Sequence, residues 1–233
     1  MILRKHIPNA ITSLNLLCGV IGIIFALNPA GSAFPRVSLC FMLAASCFDF
    51  CDGLAARILG VISPVGKELD SLSDVVSFGV LPAVMMYSCI GASPLRYAAL
   101  LLAVFSALRL ARFNLDERQH DSFIGLPTPA SALIAASLCC VCRNDWIILA
   151  AALVLCWLLV SDLPMFSFKF GSGTGADAVS KMKRTAIVSI SVIVVILVVL
   201  LALPWPAAIL GILTCYVLEN VIFSLLAPHP SRK

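Results

Sequence analysis

The stretch Phe48–Gly79, FDFCDGLAARILGVISPVGKELDSLSDVVSFG, decides how this chain is read. It places four aspartates, Asp49, Asp52, Asp70 and Asp74, in a sequence that is otherwise almost uniformly apolar. Asp49 and Asp52 stand three residues apart and Asp70 and Asp74 four apart, so each pair shares a helix face. Between the pairs lie Gly60, Pro64 and Gly66, which read as a short turn joining two antiparallel helices, with Gly66 letting the chain turn tightly before the second of them. A turn this short is expected to keep the helices adjacent, so that all four carboxylates converge at one depth.

Working outward, 61% of the 233 residues are apolar, only 12% are charged, and the mean hydropathy is +1.05. Soluble domains carry about 25% charged residues, so the composition predicts an all-α polytopic membrane protein. Apolar runs at about 7–28, 36–60, 67–91, 94–115, 127–142, 145–163, 185–203 and 205–226 predict a bundle of about eight transmembrane helices. The expected organisation is one membrane-embedded catalytic domain over 1–233, a six-helix core plus two C-terminal helices at about 185–226. The first run lacks a small-residue cleavage site and is followed by many more, so it reads as a span rather than a signal peptide. Gly171 to Ala176, GSGTGA, reads as a flexible loop.

Charge supports the threading. With the N-terminus in the cytoplasm and eight spans, thirteen of the sixteen Lys and Arg fall on the cytoplasmic side, leaving Arg36, Arg96 and Arg143 outside. This positive-inside bias places both termini in the cytoplasm of a multi-pass inner-membrane protein, with the acids in the cytoplasmic half. The net charge of +4 is then topological and indicates no nucleic-acid partner. Ten cysteines are scattered through the apolar segments, a distribution that gives little support to zinc or iron–sulfur chemistry.

A charge within a span costs about 2.5–3.5 kcal/mol on insertion scales, and four clustered carboxylates repel one another strongly in low dielectric. Arg57 and Lys67 alone do not balance four acids. Oxygen ligands favour Mg²⁺ or Mn²⁺, with Ca²⁺ also compatible, over zinc. Two pairs of carboxylates suit two such ions, an arrangement fitted to phosphoryl displacement. The same acids lining an ion path would make a divalent-cation transporter, but a path needs polar residues across the whole bilayer and these lie on one side.

The full spacing is Asp49-x₂-Asp52-Gly53-x₂-Ala56-Arg57-x₈-Gly66-x₃-Asp70-x₃-Asp74. Gly53 and Ala56 clear a groove beside the acids, and Arg57 offers a fork of donors for phosphate. The pattern resembles that of the CDP-alcohol phosphatidyltransferase family, D-x₂-D-G-x₂-A-R-x₈-G-x₃-D-x₃-D, at all eight fixed positions. The resemblance implies a homodimeric enzyme that transfers a phosphatidyl or related group from a CDP-linked donor to an alcohol, releasing CMP. It also implies that Asp49, Asp52, Asp70 and Asp74 bind metal and that Asp70 and Asp74 form the catalytic pair, Asp74 acting as general base. Gly53, Ala56, Arg57 and Gly66 would hold the CDP moiety. A prenyltransferase working on pyrophosphate also uses paired aspartates, but with different spacing and without the Gly-x-x-Ala-Arg element.

Further segments resemble the branch of that family whose acceptor is serine. They are Pro8–Asn15 with Cys18-Gly19, Arg109–Asn114 (RLARFN), Phe123–Pro129 (FIGLPTP) and, more loosely, Ser161–Lys169. The implied substrates are CDP-diacylglycerol, held with its acyl chains among membrane lipids, and L-serine, giving phosphatidylserine for phospholipid synthesis. Arg109 and Arg112, one turn apart and read as sharing a face, form with Asn114 a candidate site for serine's carboxylate or for phosphate. The same arginines would equally suit glycerol-3-phosphate, and an inositol-type acceptor is the other rival. Thr12 and Asn15 share a face of the first span and are candidates to reach the nucleotide, or else to bond between helices. Glu219, in the last span, has no assigned role.

Overall fold

A computed structural model describes residues 2–28, 34–61, 63–91, 93–115, 123–161, 163–165 and 205–226. The expected seventh span (185–203), the glycine-rich loop, and Arg118, Lys169, Lys181, Lys183, Arg184, Arg232 and Lys233 lie outside the described residues.

The hairpin that carries the acids is built from local signals. Helix α2 (Phe34–Leu59) stops at Gly60, whose φ of +61° is open to glycine at little cost. The Gly60 amide donates to Arg57 O and the Val61 amide to Ala56 O, the paired bonds of a Schellman motif. Ser63 then caps the next helix, its Oγ accepting from the Gly66 amide at 2.9 Å, with Pro64 in the first turn. Helix α3 therefore begins at Pro64, a turn earlier than its apolar run, and extends to Cys89. The tight-turn glycine is Gly60. Gly66 lies inside the first turn of α3, where a Cβ would meet Asn9 Oδ1 and Ser63 Oγ at 2.9 Å, so its small size admits α1 (Ile2–Leu27) instead of bending the chain.

The remaining described helices are α4 (Pro94–Leu115), α5 (Thr128–Val141), α6 (Asp145–Val160) and α7 (Trp205–Leu226). Five of the seven, α1 to α4 and α7, are long and apolar enough to cross a membrane. Helices α5 and α6 have 14 and 16 residues, about 21 and 24 Å at 1.5 Å per residue, short of a hydrocarbon core of about 30 Å. Apart from a two-residue antiparallel pairing, β1 (Phe123–Ile124) with β2 (Pro164–Met165), the described architecture is all-helical.

Helix α1 organises the acid end. It packs along α2 and also against α3. Its contact with α3 is a seam of small residues: a Cβ on Gly19 would run into the Ser77 hydroxyl, and one on Gly22 would meet Leu81 Cδ2 at 2.8 Å. Ser77 Oγ donates to Asn15 O at 3.1 Å, and Ser38 Oγ on α2 donates to Gly22 O at 3.0 Å. Over Pro64–Asp74, α3 leans on α1 and not on α2. Over this first stretch the short turn thus joins the two acid-bearing helices without packing them closely, because α1 serves as wall to both; further along, from Val75 to Cys89, α3 does touch α2.

Directly after Asp74 the α3 backbone widens into a π-helical segment, Val75–Val80, which buries Ser77, Phe78 and Gly79. Gly79 there meets α4, where a Cβ would lie 3.2 Å from Ser106 Cβ. At the far end of α3 and α4, Arg96 lies over the rings of Tyr87 and Tyr97, 4.6 and 5.4 Å from their centroids.

Candidate active site and metal centre

Three of the four aspartates meet. Asp49 from α2 and Asp70 and Asp74 from α3 each bring a carboxylate oxygen within 4.8 Å of the others. Asp49 and Asp70 face each other across the gap between the helices, close enough for their charges to act on one another. Asp52 is buried beside this group, close to the Thr12 side chain and the Gly53 amide, rather than inside it. Its charge still acts on the other three. Neither Arg57 nor Lys67 figures among the charged neighbours of any of the four.

Buried oxygens without partners mark the centre: Asp52 Oδ2 and Asp70 Oδ1 carry no hydrogen bond. Buried carboxylate oxygens left this way are costly unless a cation or donor occupies the space between them. The donor set is all oxygen, on two separate elements, and fits a hard divalent ion. The residues present therefore suit the metal that this chemistry calls for, with Asp49, Asp70 and Asp74 as its holders.

Asn15 is fully buried, and its Nδ2 donates to Asp74 Oδ1 at 3.3 Å. A carboxylate only accepts, so the amide nitrogen must face it; Asn15 Oδ1, on the other side, is left without a partner. Thr12 Oγ1 donates to Pro8 O at 3.0 Å. The two residues share a face of α1, as expected, and meet different acids: Thr12 stands by Asp52, Asn15 by Asp74.

Gly53 opens on empty space, with nothing within 4 Å of the position a Cβ would take. It leaves the groove expected beside the acids. Ala56 is half-buried, and Arg57, at the exposed end of α2, contributes its carbonyl to the Schellman cap.

The arginine pair does not share a face. Arg109 is 7% exposed and turned inward, its Nη1 donating to Thr128 Oγ1 at 3.0 Å, with Asp74 as its charged neighbour. Arg112, one turn on, is exposed and reaches Val160 O at 3.5 Å. Three residues of helix turn the side chains about 60° apart, enough at the edge of a packed face to send one in and one out. Asn114 is spent on α3, its Nδ2 donating to Ser71 Oγ at 2.9 Å. Thr128 was not legible as a site residue, because its partner is distant in sequence. Glu219 lies half-buried on α7, which packs against α5.

A bundle of apolar helices with an oxygen-rich centre between two aspartate-bearing helices fits metal-assisted group transfer at a membrane, and comparison with known proteins supplies the class. The chain belongs to the CDP-alcohol phosphatidyltransferase family, whose model matches residues 5–160. Its relatives narrow the resemblance. A CDP-diacylglycerol–serine O-phosphatidyltransferase of Methanocaldococcus jannaschii is 35% identical over 157 residues, covering 67% of this chain and 72% of that one. Proteins of the same description from Bacillus subtilis and Mycobacterium leprae are 32% and 40% identical, over 71% and 54% of this chain. The match covers 92% of the Bacillus protein and 44% of the mycobacterial one, so the chain spans less than half the length of the latter.

Proposed function

We propose that this chain transfers the phosphatidyl group of CDP-diacylglycerol to the hydroxyl of L-serine, producing phosphatidylserine and CMP. The observation that carries the reading is the convergence of Asp49, Asp70 and Asp74 from two helices that both pack on α1. The relatives bearing the serine transferase description support the choice of acceptor.

Asp49, Asp70 and Asp74 would hold the divalent metal, Mg²⁺ or Mn²⁺, and Asp52 would be the further carboxylate available to a second ion. When bound, such ions neutralise the pyrophosphate and make CMP a better leaving group. The protein's own groups do the rest. Asp74 takes the proton of the acceptor hydroxyl, which is a poor nucleophile while neutral. Asn15 holds one Asp74 oxygen and so aims the other. The open groove at Gly53, with Ala56 and Arg57 beyond it, receives the CDP moiety, and Gly66 keeps α1 close at its base. The site faces the cytoplasm of the inner membrane, where CMP is released and the acyl chains stay in lipid, and the working unit is a homodimer.

Purified protein in detergent, given CDP-diacylglycerol, Mg²⁺ or Mn²⁺, and serine, glycerol-3-phosphate or inositol separately, tests this by CMP release. Release with serine alone, abolished by chelator, is the expected result. Release only with another alcohol would overturn the serine assignment while keeping the metal centre.

A further inference from the structure

Arg109 is a cation sealed inside a membrane bundle without an ion-pair partner among the described residues. Its Nη1 is bonded to Thr128 Oγ1, its Nε is buried with no partner, and the Phe113 ring lies 5.7 Å from its guanidinium carbon. A buried guanidinium held by one hydroxyl keeps donors that only an anion can satisfy well. Asp74 is the one carboxylate among the described residues whose charge reaches it; Asp49, Asp52 and Asp70 have no such link. Ser106 and Asn114, which bracket Arg109 on α4, meet Gly79 and Ser71 of α3 on either side of Asp74, so the cation stands on the Asp74 flank of the site, where the acceptor hydroxyl must come to lose its proton.

We infer that Arg109, locked in place by Thr128, is the receptor for the carboxylate of the acceptor, and that Thr128 sets acceptor specificity through it. The inference rests on the serine reading above and deepens it. In serine a short carbon link separates hydroxyl from carboxylate, so one molecule spans from Asp74 to Arg109. Two further buried hydroxyls without partners, Ser106 on α4 and Ser131 on α5, stand one helical turn from Arg109 and Thr128 respectively. Arg112 and Asn114 take no part, being committed to Val160 O and Ser71.

The fold invests in the position of Thr128. Gly125, at φ +76°, lies so close to the end of α6 that a Cβ would meet Leu159 O at 2.9 Å and Ser161 O at 3.0 Å. The Gly125 amide donates to Leu163 O at 2.9 Å and the Leu126 amide to Leu158 O at 3.1 Å. Pro127 and Pro129 stiffen the next steps. The segment GLPTP is thus a backbone junction that delivers the Thr128 hydroxyl to Arg109.

The test compares Thr128→Val, near-isosteric but without the hydroxyl, with Thr128→Ser, which keeps it, and with Arg109→Lys. CMP release is followed against serine and, separately, against CDP-diacylglycerol. Thr128→Val should raise KM for serine about 10-fold or more, the loss expected for a hydrogen bond to a charged group, with KM for CDP-diacylglycerol unchanged. Thr128→Ser should restore it, and Arg109→Lys should raise it further. Ethanolamine, which lacks the carboxylate, should be a poor acceptor whose residual turnover does not respond to Thr128→Val. A rise in KM for CDP-diacylglycerol instead would assign Arg109 to the donor phosphates and overturn the inference. So would a changed kcat with both KM values kept, which would leave Arg109 acting on Asp74 alone. The wild type separates the two levels: turnover with serine but no KM effect in the variants defeats only this inference. Wild-type turnover with another alcohol and none with serine defeats the underlying reading as well.

Discussion

Replacing Asn15 by leucine isolates the positioning of Asp74 from the integrity of the bundle. Asn15 is fully buried, and its side chain makes one bond, from Nδ2 to Asp74 Oδ1 at 3.3 Å. Hydrogen bonds to charged groups contribute about 1.5–3 kcal/mol, and a length just beyond the usual range of 2.7–3.2 Å points to the lower figure. At 1.4 kcal/mol per factor of ten, kcat should fall about tenfold. Stability should change little, because two terms oppose each other. The substitution removes the bond to Asp74 but also the partnerless Oδ1, and a buried unsatisfied acceptor costs about 1–3 kcal/mol. The backbone bond from Ser77 to Asn15 O survives any side chain at this position, so the α1–α3 seam persists. The assay is CMP release at saturating donor and acceptor, alongside thermal unfolding in detergent followed by a thiol-reactive fluorophore, since all ten cysteines are free. A tenfold loss in kcat with unchanged KM values and a nearly unchanged melting temperature is expected. A higher KM for CDP-diacylglycerol at full kcat would refute the argument and return Asn15 to the nucleotide pocket that the sequence alone suggested.

Asp74→Asn should cost about 10²–10⁴-fold in kcat, the usual contribution of a general base, in protein that still unfolds cooperatively; retained turnover would remove Asp74 from that role. Adding Mn²⁺ or Mg²⁺ should raise the melting temperature, by about 2.7 kcal/mol of stabilisation at a hundred times the dissociation constant, and Asp70→Asn should abolish the rise. An unchanged melting temperature in the wild type would mean the carboxylates hold no ion. Two glycines should behave oppositely on substitution by alanine. Gly19→Ala pushes a methyl into Ser77 on α3 and should destabilise by about 1–3 kcal/mol. Gly53→Ala meets open space and should stabilise helix α2 by about 0.5–1 kcal/mol while weakening donor binding; equal melting shifts in the two variants would contradict the packing described.

Most of the helices were legible because apolar length is a property of the chain itself. The runs at 94–115 and 205–226 coincide with α4 and α7, and the others fall within a few residues of observed helices, apart from 185–203, which lies outside the described residues. The exception in placement was instructive. The start of α3 is polar, with Gly66, Lys67 and Glu68, so hydropathy began it late, whereas the Ser63 cap and Pro64 begin it early. The acid motif was equally plain, since helical spacing alone puts each aspartate pair on one face.

What sequence by itself determined, then, was local: which segments are helices, that a turn falls between Leu59 and Lys67, and that each pair of acids shares a helix face. The tertiary structure decided which side chains look at each other. It drew Asp49, Asp70 and Asp74 together and set Asp52 beside them. It gave Asn15 to Asp74, turned Arg109 inward and Arg112 outward, and supplied Thr128 from nineteen residues away. Helical periodicity fixes an angle around one axis, but the facing partner depends on how α1 wedges between α2 and α3 and on the backbone junction at Gly125. Those are long-range contacts, and no local pattern encodes them.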